Sequence, residues 1–217
     1  MKILVIADVH GRSDWKEVVK QECDKIIFLG DYFDSFTIPF EKQFKNFQEI
    51  YDFKSTYPEK VTLLIGNHDF HYMVSGQRYS GYQDNYANKI NEIISNAYNV
   101  GFLQLCCVEN EILFSHAGVT KTWCKNNGID ENNIEEEINM LFENNSDSFK
   151  FQDFPNSDNS GDNIYQSPLW VRPKSLISDS VDWKQIVGHT QFKEITNIKN
   201  VYFVDVPGKS LLVDDEN

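Results

Sequence analysis

The sequence lacks any apolar run long enough to cross a bilayer. In 217 residues no stretch approaches the ~20 apolar residues that a transmembrane helix requires. The apolar run at residues 3–7 is much shorter than the hydrophobic region of a secretory signal, and no cleavage site follows it. We therefore expect a cytoplasmic protein that contacts no membrane.

Cysteine is scarce and positive charge is in deficit. The four cysteines include no Cys-X-X-Cys pair, which argues against a structural zinc site and predicts buried free thiols. Lys and Arg number 20 against 33 Asp and Glu, so the net charge is −13. This balance argues against binding long nucleic acid, which requires a positive surface. The negative net charge still permits an anionic substrate, because the positive charge of a bound metal ion can locally outweigh the negative potential of the protein.

The composition that remains is that of a globular protein. Hydrophobic residues make up 41% and aromatic residues 14% of the chain. The length predicts a single domain over residues 1–217. Residues 126–163 are rich in Asn and acidic residues, and they are predicted to form a surface insertion or lid.

Apolar runs alternate with helical patterns along the chain. Residues 3–7, 25–29 and 61–65 are β-branched runs typical of buried strands. Between them and after them, apolar residues recur at spacings of three and four, which predicts helices. Residues 103–114 predict two antiparallel strands joined by a tight turn, and the Tyr-rich residues 72–82 predict a loop. The pattern indicates an α/β protein.

Polar side chains stand where these strands end. They are Asp8 with His10, Asp31, Asn67 with His68, His116, and His189. Four of the five histidines of the chain belong to this set, which random placement would rarely produce. Because ligands of open α/β sheets bind beyond the carboxyl ends of the strands, we expect these groups to share one site.

The donor types favour a metal site. Carboxylate, amide and imidazole donors together suit divalent first-row metals such as manganese, iron or zinc. Two Asp, one Asn and three of the His give six donors, which exceeds what one open catalytic ion usually takes from a protein. Two ions that share one bridging carboxylate would use all six donors. Paired ions ~3.5–4 Å apart stabilise both the attacking and the leaving oxygen in an in-line displacement at phosphorus.

The ordered motifs resemble those of the calcineurin-like metallophosphoesterase superfamily. They are Asp-X-His, Gly-Asp-X-X-Asp, Gly-Asn-His-Asp, Ser-His-Ala-Gly and Gly-His-Thr, and they extend from residue 4 to about residue 206. The final Gly-His-Thr and residues 170–173 are similar to the serine/threonine protein phosphatase branch and its phage and bacterial relatives. The resemblance implies an αββα architecture, a two-sheet β-sandwich flanked by helices.

The resemblance also implies roles for individual residues. Asp8, His10 and Asp31 would hold one ion, and Asp31 would bridge to a second ion held by Asn67, His116 and His189. Manganese is the expected metal, with iron or zinc as alternatives. A hydroxide between the ions would attack the phosphate in line, while His68, oriented by Asp34, would protonate the leaving oxygen. Asp69 would have no metal role and would cap the helix that follows.

One position departs from the phosphatase pattern. The family's phosphate-gripping Arg follows the second Asp of Gly-Asp-X-X-Asp, and here that place is taken by Ser35. Arg172 resembles the other phosphate-binding Arg of the family, and Arg78 could replace the missing one. The departure weakens the case for a phosphoprotein substrate.

Three functions fit these residues. The leading hypothesis is hydrolysis of a phosphate monoester, carried by a phosphoprotein or a small molecule. The alternative is a hydrolase of nucleotides or dinucleoside polyphosphates, or a phosphodiesterase. A non-catalytic metal-binding scaffold is disfavoured, because every ligand position is present together with His68 and Asp34.

Overall fold

The structure is a computed structural model that describes residues 1–153 and 160–214. The strands of this part of the chain are β1 Ile3–Ile6, β2 Lys25–Phe28, β3 Val61–Leu64, β4 Leu103–Gln104, β5 Cys106–Glu109, β6 Ile112–Ser115, β7 Lys184–Val187, β8 Thr196–Ile198, β9 Val201–Phe203 and β10 Leu211–Val213. The α-helices are α1 Trp15–Val18, α2 Phe40–Thr56, α3 Asn67–Met73, α4 Ala87–Asn99, α5 Lys121–Asn127, α6 Ile134–Asn144 and α7 Pro173–Asp179.

The strands form two five-stranded sheets. The first has the order β10-β1-β2-β3-β4, in which β1 to β4 are parallel and β10 is antiparallel to β1. The second has the order β5-β6-β7-β9-β8, in which β6, β7 and β9 are parallel. Parallel neighbours end at the same edge of a sheet, so the polar residues that follow β1, β2 and β3 are brought together, as are those that follow β6, β7 and β9.

The two sheets pack face to face. Strand residues alternate between faces, and Ile3 and Val5 of β1 point into a core shared with Phe114 and Ile186 of the second sheet. Leu4 and Ile6 point the other way, into a core that helices cover. Because both faces of β1 are buried, its sequence is continuously apolar. The predicted α/β fold, a two-sheet sandwich flanked by helices, is confirmed.

The sequence misplaced some boundaries. The single strand predicted from residue 103 is two strands, since β4 pairs with β3 in the first sheet whereas β5 pairs with β6 in the second. The loop predicted from Tyr72 begins later, because α3 continues to Met73. Strand β8 was not predicted, since its short sequence lacks a buried face. The four cysteines are free and buried, as predicted.

The described part of the acidic segment 126–163 contributes to the core. Ile134, Ile138 and Phe142 of α6 are buried, as is Phe149. Residues 154–159 of this segment lie outside the described residues, so the lid stays a prediction. Across residues 1–153 and 160–214, the helices are all too short or too polar to cross a membrane.

Candidate metal centre and proton donor

Backbone strain is concentrated at the predicted site. Eight non-glycine residues of the described chain have positive φ angles. Five of them are predicted site residues: Asp8 (33°), His10 (42°), Asp31 (54°), Asp34 (66°) and His189 (63°). Left-handed backbone costs an ordinary residue on the order of 1 kcal/mol or more and persists only where the surroundings hold it in place. The strand ends are therefore shaped to aim these side chains.

The first group of donors surrounds Asp31. Its Oδ2 lies 3.5 Å from His116 Nε2 and 3.7 Å from His10 Nε2. Its other oxygen, Oδ1, accepts the backbone N–H of His68 at 2.8 Å, which fixes the carboxylate. Ligand atoms of Asp8, Asp31 and His116 all lie within 4.8 Å of one another, so these three residues could hold a metal ion.

A second group of donors meets at Asn67. Its Oδ1 lies 2.7 Å from His116 Nε2 and 2.9 Å from His189 Nδ1, and the two ring nitrogens are 3.2 Å apart. The three residues come from different parts of the chain, after β3, β6 and β7. The structure therefore brings together all six residues that the sequence singled out as ligands, in two groups joined by His116.

His10 and His116 are each oriented by a hydrogen bond at Nδ1, which directs Nε2 towards the donor groups described above. His10 Nδ1 lies 2.6 Å from the carbonyl oxygen of Phe33, and His116 Nδ1 lies 2.9 Å from that of Leu29. A carbonyl oxygen only accepts, so each Nδ1 carries a hydrogen. With the hydrogen at Nδ1, each Nε2 faces the site, the arrangement typical of metal-binding histidines.

Burial and neighbouring charges shift the pKa values of several proposed ligands. Burial raises the pKa of Asp8. At Asp31, burial acts in the same direction, but the neighbouring His116 and His68 outweigh it and lower the pKa. Burial together with His116 lowers the pKa of His189 well below its usual range, so this ring stays neutral and can donate a lone pair.

His68 and Asp34 form a hydrogen-bonded pair beside the metal ligands. His68 Nδ1 lies 2.9 Å from Asp34 Oδ2. Burial lowers the pKa of His68, but the carboxylates of Asp31 and Asp34 outweigh burial and raise it to about 9. Burial raises the pKa of Asp34, but hydrogen bonds from His68 and His71 prevail and lower it. In the metal-free protein near neutral pH, the pair is an imidazolium held by a carboxylate.

Asp69 caps α3 and does more than the sequence indicated. Its Oδ2 accepts the backbone N–H of Gly66 at 2.9 Å, which is the predicted cap. The same carboxylate accepts the N–H groups of Asp31 at 2.7 Å and Tyr32 at 2.9 Å. Asp69 thus ties the turn after β2 to the turn after β3.

The two predicted phosphate-binding arginines lie in different surroundings. Arg172 is half-buried, and its Nη1 donates to Thr190 Oγ1 at 3.2 Å and to the carbonyl oxygen of His189 at 3.3 Å. Arg78 is exposed, and its guanidinium pairs with Asp84 at 2.6 Å. The structure thus brings Arg172 beside a predicted ligand and engages Arg78 in a surface ion pair.

Sequence reasoning left out two buried groups of this region. Asp205 follows β9, and burial together with Asp8 raises its pKa to about 7. Asp205 is a polar residue just beyond a strand, the same feature that identified the other site residues. His71 lies one helical turn after His68, and its Nε2 is 2.7 Å from Asp34 Oδ2.

Comparison with known families finds a match over nearly the whole chain. The sequence profile described as calcineurin-like phosphoesterase matches residues 1–210. None of the curated protein sequences matches the chain.

Solved structures share the fold. A cold-active protein-tyrosine phosphatase of a psychrophilic Shewanella species is 19% identical, with a TM-score of 0.63 over 99% of this chain and 75% of that one. A protein serine/threonine phosphatase from Saccharomyces cerevisiae is 17% identical, with a TM-score of 0.57 over 94% of this chain and 66% of that one. At these identities the likeness is one of fold.

Proposed function

Because the chain belongs to the calcineurin-like phosphoesterase family and is a metal-dependent phosphoesterase, we propose that it hydrolyses a phosphate monoester with two divalent metal ions. One observation carries the proposal. Asn67 Oδ1 lies 2.7 Å from His116 Nε2, the ring nitrogen whose lone pair faces the site. With the ring hydrogen at Nδ1, Nε2 and the amide oxygen both present lone pairs to one point, and a cation shared by them would offset their repulsion.

The donors divide into two sets. Asp8, His10 and Asp31 would hold the first ion, Asn67, His116 and His189 would hold the second, and Asp31 would be shared by the two. Their mixed oxygen and nitrogen donors fit manganese, with iron or zinc as alternatives. When bound, the ions supply Lewis acidity and lower the pKa of water.

The chain's own residues supply the remaining steps. His68 directs Nδ1 to Asp34, so its Nε2 is the atom that delivers a proton to the leaving oxygen of the ester. Arg172 binds a phosphate oxygen next to His189. Asp34 keeps the imidazole oriented towards the leaving oxygen.

The substrate is assigned to the monoester class. The Shewanella protein with this fold is titled a protein-tyrosine phosphatase and the yeast protein a serine/threonine phosphatase, which makes a phosphoprotein one candidate. Ser35 offers no cation where the phosphatase pattern has Arg. Its Oγ instead accepts the backbone N–H groups of Thr37 and Ile38. With one arginine at the phosphate, small phosphorylated molecules are the other candidate.

Two synthetic esters test the proposal. With added Mn²⁺, the protein is expected to hydrolyse p-nitrophenyl phosphate faster than bis-p-nitrophenyl phosphate. Asp31→Asn is expected to lose both metal and activity, whereas His68→Asn keeps metal and loses rate, most strongly on esters whose leaving group needs a proton. Asp182→Asn, at an exposed carboxylate, is the control and should match the wild type.

Each failure has its own meaning. A metal-loaded protein that turns over neither ester would contradict an enzyme and favour a binding scaffold. Diester turnover well above monoester turnover would instead identify a phosphodiesterase, the alternative for nucleotide substrates.

A further inference from the structure

The mechanism leaves one histidine without a role. His71 is fully buried within α3, and its Nε2 lies 2.7 Å from Asp34 Oδ2. The same oxygen lies 2.9 Å from His68 Nδ1. Two imidazoles thus converge on one carboxylate oxygen, and only one of them faces the reaction.

The tautomer of His71 follows from its second contact. The backbone N–H of Tyr79 donates to His71 Nδ1 at 3.4 Å. A peptide N–H can only donate, so Nδ1 holds a lone pair and the ring hydrogen is at Nε2. His71 therefore places its hydrogen-bearing Nε2 in close contact with Asp34, 2.7 Å from Oδ2.

Three tyrosine rings hold the His71 ring in this orientation. Tyr79 stacks on it with an interplanar angle of 4° and a centroid distance of 5.8 Å. Tyr72 and Tyr82 meet it edge to face at 4.4 Å and 4.9 Å. A ring enclosed in this way cannot turn its donor away from Asp34.

The donors around Asp34 are divided between its two oxygens. Oδ1 accepts from the hydroxyl of Tyr72 at 2.5 Å and from Gln83 Nε2 at 3.3 Å. Oδ2 is shared by His68 and His71. A carboxylate has about four lone-pair sites, so this set fills them. Without His71, Oδ2 would keep His68 as its one contact in this set, and the carboxylate would be held from the Oδ1 side alone.

We propose that His71 is a positioning residue, which holds Asp34 Oδ2 so that His68 keeps its Nε2 aligned with the leaving oxygen. This inference rests on the proposed role of His68 as the proton donor. If His71 merely filled the core, its substitution would slow the hydrolysis of all substrates equally. If His71 positions the proton donor, its substitution should slow hydrolysis most for esters whose leaving group needs a proton.

The experiment compares leaving groups. We expect His71→Leu to lower kcat on an alkyl ester, β-glycerophosphate, by roughly 10- to 100-fold, within the range of acid catalysis. On p-nitrophenyl phosphate, whose leaving phenolate needs little protonation, kcat should fall less than about threefold. KM and bound manganese should stay at wild-type values.

Amide variants separate the donor from the bulk of the ring. His71→Gln places an N–H where Nε2 stands and is expected to restore most of the alkyl-ester rate. His71→Asn ends nearer the Nδ1 position and should remain defective. This pair decides the question even if His71→Leu fails to fold. An equal loss on both esters in folded, metal-loaded His71→Gln and His71→Asn would overturn the inference.

His68→Asn distinguishes failure of the inference from failure of the proposed function. It should show the same preference for the good leaving group, more strongly than any His71 variant. If His68→Asn slows both esters equally, His68 is not the proton donor and the proposed mechanism is wrong. If His68→Asn is selective while every His71 variant matches the wild type, only the inference about His71 is wrong.

Discussion

The carboxylate of Asp69 holds the backbone of Asp31. Asp69 Oδ2 accepts the N–H of Asp31 at 2.7 Å, and Asp31 has a left-handed φ of 54°. This contact joins the start of α3 to the end of β2, across 38 residues of sequence. The proposed bridging ligand therefore depends on a residue that binds no metal in the proposed mechanism.

Asp69→Ala is expected to destabilise the protein. The change leaves the buried N–H groups of Asp31, Tyr32 and Gly66 without their acceptor. An unsatisfied buried donor costs about 1–3 kcal/mol, so the free energy of unfolding in urea should fall by at least ~2 kcal/mol. Manganese affinity, measured by calorimetry, should fall as well. Asp182→Ala is the control, and a loss in Asp69→Ala no greater than in this control would contradict the assignment.

Metal binding is expected to raise the melting temperature. Asp8 and Asp31 are buried close together, and an ion would supply their missing positive charge. At manganese concentrations 100-fold above Kd, linkage predicts about 2.7 kcal/mol of stabilisation. Differential scanning fluorimetry with EDTA and with Mn²⁺ measures the shift, and Asp31→Asn should abolish most of it. An Asp31→Asn protein that shifts as much as the wild type would refute Asp31 as a ligand.

The metal-free protein is expected to lose stability as pH rises. The folded pKa of His68 is about 9, above the ordinary 6.5, so the folded state binds the proton more tightly. This contribution is fully present below pH 6.5 and is lost as pH rises through about 9. Urea unfolding with EDTA, at about pH 6 and about pH 9.5, should show a decrease on the order of 2–3 kcal/mol. His68→Asn should flatten this dependence, and an unchanged slope in that variant would argue against His68 as its source.

The two arginines are expected to differ in kinetics. Arg172→Ala should raise KM for p-nitrophenyl phosphate about tenfold or more, because a charged hydrogen bond to the phosphate is lost. Arg78→Ala should change kcat and KM by less than about twofold, since its guanidinium pairs with Asp84 on the surface. Steady-state kinetics at saturating manganese measure both effects. A larger increase in KM for Arg78→Ala than for Arg172→Ala would place the phosphate beside Arg78.

Parts of the site could be anticipated because strand ends are encoded locally. Apolar runs require burial, and the first polar residues beyond them mark where the strands end. This reasoning found Asp8, Asp31 and Asn67 in the first sheet and His116 and His189 in the second. It missed Asp205, although Asp205 follows β9 as the other site residues follow their strands.

Other features depend on contacts that no local pattern encodes. The run predicted as one strand from residue 103 divides at Leu105, because its two halves pair with different sheets. His71 resembles any helical histidine until Asp34 is placed against it. Arg172 and Arg78 are both candidate phosphate ligands on sequence grounds, and packing puts the first beside His189 and the second in a surface ion pair.

The sequence by itself determined the fold class, the family and the residues that stand at the strand ends, because burial of apolar runs and the order of motifs are properties of the chain. The tertiary structure alone decided which of these groups meet. Asn67 and His189 are separated by 122 residues, yet their side chains lie 2.9 Å apart. Such proximity follows from sheet pairing and from strained turns held by Asp69, and these arise only when distant segments pack together.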